Sequence, residues 1–196
     1  MMTAAEKTET YSDSRLIEES LRSSLLSFRQ MPGAGRLDVK AQDFIHSSMT
    51  ARSCLRQLRR NGVEVVLTLS GRLSGTFVLV LSDAAARQLV TALVGETPHA
   101  ASFNDMARSA LKEVGNVIAS AFLGALERLS GSGGMPGLPD LRLEAGNHES
   151  SGDGTGSVLY GLPMNFVGGK EESGIPDAGM FITLNINSAC LSYHSD

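Results

Sequence analysis

The chain has no tryptophan, two cysteines in 196 residues and only 5% aromatic side chains. So few thiols argue against a disulfide framework. Cys54 and Cys190 fall in segments patterned as helix and strand, and they read as reduced, packed thiols. A basic excess is missing as well. Lys and Arg number 17 against 21 Asp and Glu, for a net charge of −4 and a pI of about 5.6. That balance, with no long basic run, argues against nucleic-acid binding. The cluster Arg56-Gln-Leu-Arg-Arg60 reads instead as the solvated face of a helix. No apolar run is long enough to span a bilayer, and no basic-then-apolar leader opens the chain. The expected compartment is the cytoplasm, with no membrane partner.

Common catalytic and binding signatures are also absent. His46, His99, His148 and His194 are scattered, without Cys or His at metal-ligand spacing. Gly169-Lys170 lacks the rest of a phosphate loop: Glu171 follows, and Met164 stands where the first Gly belongs. No Gly-x-Ser-x-Gly elbow marks a serine hydrolase. The sequence therefore calls for neither a cofactor nor a metal in this chain.

What is present fits one globular domain with an extension. The first 12 or so residues are polar and expected to be loose. Leu16, Ile17, Leu21, Leu25 and Phe28 predict a short helix over 15–29 that either packs on the domain or docks a partner. Met31-Pro-Gly-Ala-Gly35 then turns the chain, placing the boundary between residues 1–36, a flexible extension with that helix, and a domain over 37–196. Phe44, Ile45, Met49, Leu55 and Leu58 give a second helical pattern within 40–62. Strands are predicted at 63–69 and 76–81, followed by a helix from Ala84 to Leu93 capped by Asp83 and ended by Gly95. Two more strands are predicted at 157–166 and 178–186, around a polar loop at 168–176. Pro163 suggests an edge position or a break in the first of these. The fold class is α+β: an antiparallel sheet packed against long helices in a two-layer domain.

The most informative stretch is 105–129. Met106, Ala110, Leu111, Val114, Val117, Ile118, Ala121, Phe122, Ala125 and Leu129 recur at helical period and predict a core-facing stripe. Ser109, Glu113, Asn116 and Ser120 converge on the opposite face, with Ser102 or Asn104 as the N-cap. Glu113 and Asn116 are i, i+3 neighbours, about 5–6 Å apart at Cβ, so one partner surface can touch both. Gly115 and Asn116 are poor helix formers placed mid-helix, and Glu113 has no basic residue at i±3 or i±4. A helix built only for stability rarely carries such a patch. Close packing at Gly115 is the competing structural explanation. Twenty-two residues separate Asn116 from Pro139, giving Ser109-x3-Glu113-x2-Asn116-x22-Pro139. Asp140, Glu144 and Asn147 repeat the short core of this pattern, but Lys170 holds the proline position and no helical stripe accompanies it.

This spacing resembles the active-site signature of the CheC, CheX and FliY family of chemotaxis phosphatases. Arg108-Ser-Ala-Leu-Lys-Glu-Val-Gly-Asn-Val-Ile118 is similar to the family's hallmark helix, and Leu73-Ser-Gly-Thr-Phe-Val-Leu-Val-Leu81 to its Ser-Gly strand. The resemblance implies a CheC-like domain with one site, where many relatives have two. It implies as substrate the aspartyl phosphate of a CheY-type response regulator, whose receiver domain supplies Mg²⁺ and a lysine. Asn116 is then expected to orient the attacking water and Glu113 to pair with the receiver lysine, with Ser109 supporting and Pro139 shaping the following loop. A non-catalytic adaptor using the same helix face is the alternative, and the resemblance also admits a CheD-like partner or a homodimer.

Overall fold

Phe77, Leu79 and Leu81 turn to one side of a sheet while Val78 and Val80 turn to the other, as alternation along a strand requires. Both sides are buried, and this decides the layers. The computed structural model describes residues 4–60, 62–98, 103–143, 157–166 and 176–185. In chain order the elements are α1 (Ala4–Gln30), a 3-10 turn (Ala34–Arg36), β1 (Val39–Ala41), α2 (Ser48–Arg59), β2 (Gly62–Gly71) and β3 (Gly75–Ser82). They continue with α3 (Asp83–Val94), α4 (Asp105–Ser130), β4 (Gly134–Pro136), β5 (Asp140–Arg142), β6 (Ser157–Phe166) and β7 (Ala178–Asn185). The sheet runs β1-β6-β7-β3-β2-β4, with β5 also on β2, and every pairing is antiparallel. The expected α+β class is what the chain adopts.

The larger core lies on the face carrying Val65, Leu67, Phe77, Leu79, Leu162, Met164, Met180 and Ile182, under α1, α3 and α4. On the other face α2 sets Ala51, Leu55 and Leu58 against Val78, Val80, Leu159 and Phe181. The expected two layers thus gain a small third. Within it the buried carboxylate of Glu64 pairs with Arg59. Only Arg56 and Arg60 of the basic cluster are exposed, so the solvated-face expectation fails for Arg59.

Several local expectations are corrected by neighbours. Helix α1 begins at Ala4, within the stretch expected to be loose, and its Leu16, Ile17, Leu21, Leu25 and Phe28 join the main core. Of the two placements for this helix, packing on the domain is the one observed. Phe44 and Ile45 precede α2 in extended chain, Ile45 bridging to Gly161, and Met49 is 82% exposed. Ser82, not Asp83, caps α3 by accepting from the Ala85 amide; Asp83 pairs with Arg87 one turn on. Pro163 is not at an edge. β6 lies between β1 and β7, and Gln42 donates its amide to the Pro163 carbonyl, so the missing N–H falls at the end of the short β1 pairing. Cys190, His99, His148, His194, Glu144, Asn147, Lys170 and the 168–175 part of the predicted polar loop lie outside the described residues.

Helix α4 stands on β2 at Gly115, where a Cβ would lie 2.5 Å from Val65 Cγ1 and 3.6 Å from Leu67 Cδ1. Val65 is β-branched and fully buried, so it has little room to yield. Overpacking costs roughly 1–3 kcal/mol, while alanine recovers only roughly 1 kcal/mol of helix propensity. Gly115→Ala should therefore lower the urea midpoint, and Gly115→Val should lower it further. An unchanged midpoint in both variants would show slack between α4 and β2.

Burial, with the charge of Asp13 second, raises Tyr160 from 10.0 to about 12. A tyrosine raised in the fold contributes stability that is present below the unfolded pKa and lost as pH rises through the folded one. In an absorbance titration, one of the three tyrosines should ionise late, with unfolding setting in between pH 10.0 and 12. An ordinary midpoint for all three would contradict this placement of Tyr160.

Candidate active site

Asn104 opens α4 by accepting a 2.8 Å hydrogen bond from the Ala107 amide, which resolves the choice left open with Ser102. Gly131 closes the helix at φ 65°, returning its amide to Glu127 at 2.8 Å. Between these caps the helix is pinned to the sheet by Gly115. With one face fixed on β2, the residues on the far side must look outward. Ser109, Glu113 and Ser120 are exposed and Asn116 is half-buried. At 3.6 residues per turn all of them fall within about 60° of Glu113 on the helix wheel. None of the four side chains makes a hydrogen bond or ion pair with any described residue. The close-packing explanation for Gly115 is therefore correct, while Glu113 and Asn116 have no structural partner.

The spacing to Pro139 has a geometric reason. From Asn116 to the helix end the chain climbs about 21 Å, and an extended segment of five or six residues brings it back about the same distance. The return begins against Leu123 and Glu127: a Cβ on Gly134 would meet Leu123 Cδ2 at 3.6 Å, and one on Gly133 would meet Glu127 Cδ at 2.7 Å. Both contacts lie on the Asn116 side of the helix wheel. The segment then follows the β2 edge, Gly137 donating to Thr68 O at 2.7 Å and Asp140 pairing with Val66. Pro139 thus reaches the level of Leu67, one strand pleat from Val65, against which Gly115 stands. Across the helix, α1 covers the other flank, its Leu25 and Phe28 meeting Val114 and Ile118 around a small apolar void. The outcome is an exposed stripe between α1 and the β4–β5 edge.

Two residues at this site differ from the reading of the sequence. Met106, expected in the core stripe, is 63% exposed and shares the wheel position of Glu113 two turns earlier. Leu138, not singled out at all, is 94% exposed beside Pro139. A large apolar residue in a glycine-rich connector, as Met135 also is, was the available signal. The buried face also includes Ala107, Ala119, Leu123 and Leu126, which the predicted stripe left out. Among the described residues no group of three His, Cys, Asp or Glu could hold a metal, and no helix is long and apolar enough to cross a membrane.

Since Asn116 and Glu113 hold nothing in place, their removal should not harm the fold. Asn116→Ala should gain up to roughly 0.5 kcal/mol from helix propensity, and Glu113→Ala should stay within roughly 0.5 kcal/mol of the parent. Urea unfolding checks both. A loss above roughly 1 kcal/mol in either would give that side chain a structural role instead.

Residues 63–149 match the family model for the chemotaxis phosphatase CheX. Among curated protein sequences none matches significantly. Solved structures share the fold. The chemotaxis protein CheX from Desulfovibrio desulfuricans superposes with a TM-score of 0.61 at 14% identity, over 87% of this chain and 99% of that one. CheX from Borrelia burgdorferi, in its complex with CheY, BeF3 and Mg, gives 0.59 at 18% identity over 87% and 96%. FliY from Thermotoga maritima gives 0.64 at 14% over 95% and 93%. The CheX family model thus spans the motif helix, and the antiparallel fold around it is shared with the CheX and FliY structures.

Proposed function

We propose that the chain removes the phosphoryl group from the aspartyl phosphate of a CheY-type response regulator. One observation carries the reading: Glu113 and Asn116 sit together on an exposed helix face, unpartnered, on a helix held rigidly by Gly115. The Borrelia burgdorferi CheX of the same fold was crystallised with CheY, BeF3 and Mg. A complex of that kind supports a receiver domain as the partner here.

The chemistry asks little of this chain. Water oxygen attacks phosphorus in line, the bond from phosphorus to the aspartate oxygen breaks, and the water proton leaves with inorganic phosphate. Mg²⁺ and the lysine belong to the receiver. Catalysis is then chiefly positioning. The Asn116 carboxamide can accept a hydrogen bond from the attacking water and donate one to the phosphoryl group. Glu113, a helical turn away and exposed, pairs with the receiver lysine and fixes the approach. Ser109 supports the same face, and Pro139 shapes the edge beside it. A CheD-like protein or a second copy of the chain would add a further partner without changing this chemistry.

Phosphate decay from purified CheY-type regulators of the source organism tests the proposal. Addition of the chain should accelerate decay, Asn116→Ala should lower kcat about 100-fold, and Glu113→Ala should act chiefly by raising KM. Unchanged acceleration in Asn116→Ala would remove that residue from the reaction. Phosphorylation-dependent binding without any acceleration would make the chain an adaptor.

A further inference from the structure

We infer that Lys112 is a further positioning residue of this site, meeting the negative surface around the receiver's phosphorylated aspartate; the inference rests on the function proposed above. Lys112 is exposed on α4, immediately before Glu113 in sequence and one helical turn before Asn116. At about 100° per residue, Asn116 lies between the two charges, about 40° around the helix from Lys112 and about 60° from Glu113. Both stand about 4.5–6 Å before it along the axis. The carboxamide thus has a cation on one side and an anion on the other.

The fold makes no use of that cation. Among the described residues Lys112 enters no hydrogen bond or ion pair. The positions one turn away hold Arg108, Ser109, Gly115 and Asn116, so α4 offers it no carboxylate. Arg108 is instead a like charge at i−4, an arrangement that destabilises a helix. Its Nε–H is turned back to the Phe103 carbonyl at 3.1 Å, which leaves Lys112 free beside the motif. Opposite charges on two sides of Asn116 match a partner surface that carries opposite charges in the same places. The receiver has that surface. Its lysine is the cation proposed for Glu113. Its Mg²⁺ takes oxygen ligands, carboxylates among them, and the phosphoryl group adds further negative charge. Lys112 stands where it meets that negative part. Turned the other way round, the receiver would set like charges against both side chains, so the pair fixes its orientation over Asn116. Lysine acts here as a point charge, and arginine should serve in its place.

The test compares Lys112→Ala, Lys112→Glu, Lys112→Arg and Arg128→Ala with the parent chain on a phosphorylated CheY-type regulator. Arg128 is the control: it is an exposed cation of the same helix, about 24 Å further along, beyond the screening length of roughly 10 Å at 0.1 M salt. Lys112→Ala should raise KM roughly fivefold and Lys112→Glu roughly thirtyfold, with kcat within about twofold. Lys112→Arg and Arg128→Ala should stay within about twofold of the parent in both. The same order should appear in Kd for the regulator loaded with BeF3 and Mg²⁺, and salt near 1 M should shrink the differences. Unchanged KM and Kd in Lys112→Glu, with an active parent and a slow Asn116→Ala, would overturn this inference and leave the proposed function standing. So would a loss that Lys112→Arg shares in full and that salt leaves unaltered, because charge would then not be its cause. A parent chain that neither binds the loaded regulators nor speeds their decay would overturn both. Where the parent binds without hydrolysis, the Kd series alone decides.

Discussion

The approach of α4 to β2 at Gly115 is the constraint on which the rest of the site depends. A helix can rest this close to a strand only where one residue has no side chain, and the contact fixes both the rotation and the height of the helix. Rotation decides that Ser109, Glu113, Asn116 and Ser120 look outward. Height decides the level along the β2 edge at which they stand. The poor helix propensity of the Gly115–Asn116 pair therefore has two separate causes. The glycine serves packing, and the asparagine serves nothing within the described fold.

The exposed stripe is bounded rather than open. Helix α1 covers one flank of α4 with Leu25 and Phe28, and the β4–β5 segment covers the other along the β2 edge. Burying α1 fills the space beside Val114 and Ile118 and keeps the apolar half of α4 out of water. The remaining polar strip is narrow, and the exposed Met106 lies on it two turns before Glu113. Across the sheet, α2 carries the Arg59–Glu64 pair, with no Glu-x2-Asn on its surface. Among its described residues the domain accordingly has one helix face carrying a Glu-x2-Asn pair.

Strand positions were legible because these segments are apolar runs bounded by polar or glycine-containing turns, β2 and β3 being rich in β-branched residues: β2, β3, β6 and β7 fall within a residue or two of expectation. Ends and edges were not. Ser82 rather than Asp83 caps α3, because either side chain can accept the free amides and only the chain's exit angle from β3 decides between them. Pro163 sits inside the sheet because its missing amide falls where β1 runs out, which no local pattern records. Met106 has core periodicity and yet is exposed. It lies near the start of α4, on the same side of the helix as Glu113, away from the neighbours that bury the rest of the stripe.

The sequence alone determined the motif helix, the outward grouping of Ser109, Glu113 and Asn116, and the kinship of their spacing with a phosphatase family, because helical period is a local property of the chain. Only the tertiary structure decided that α1 belongs to the core, that Gly115 is a packing contact, and that Pro139 comes level with Leu67 along the β2 edge. Those facts depend on which residue of β2 each segment meets. That register is set by burial across the whole sheet rather than by any one stretch of residues.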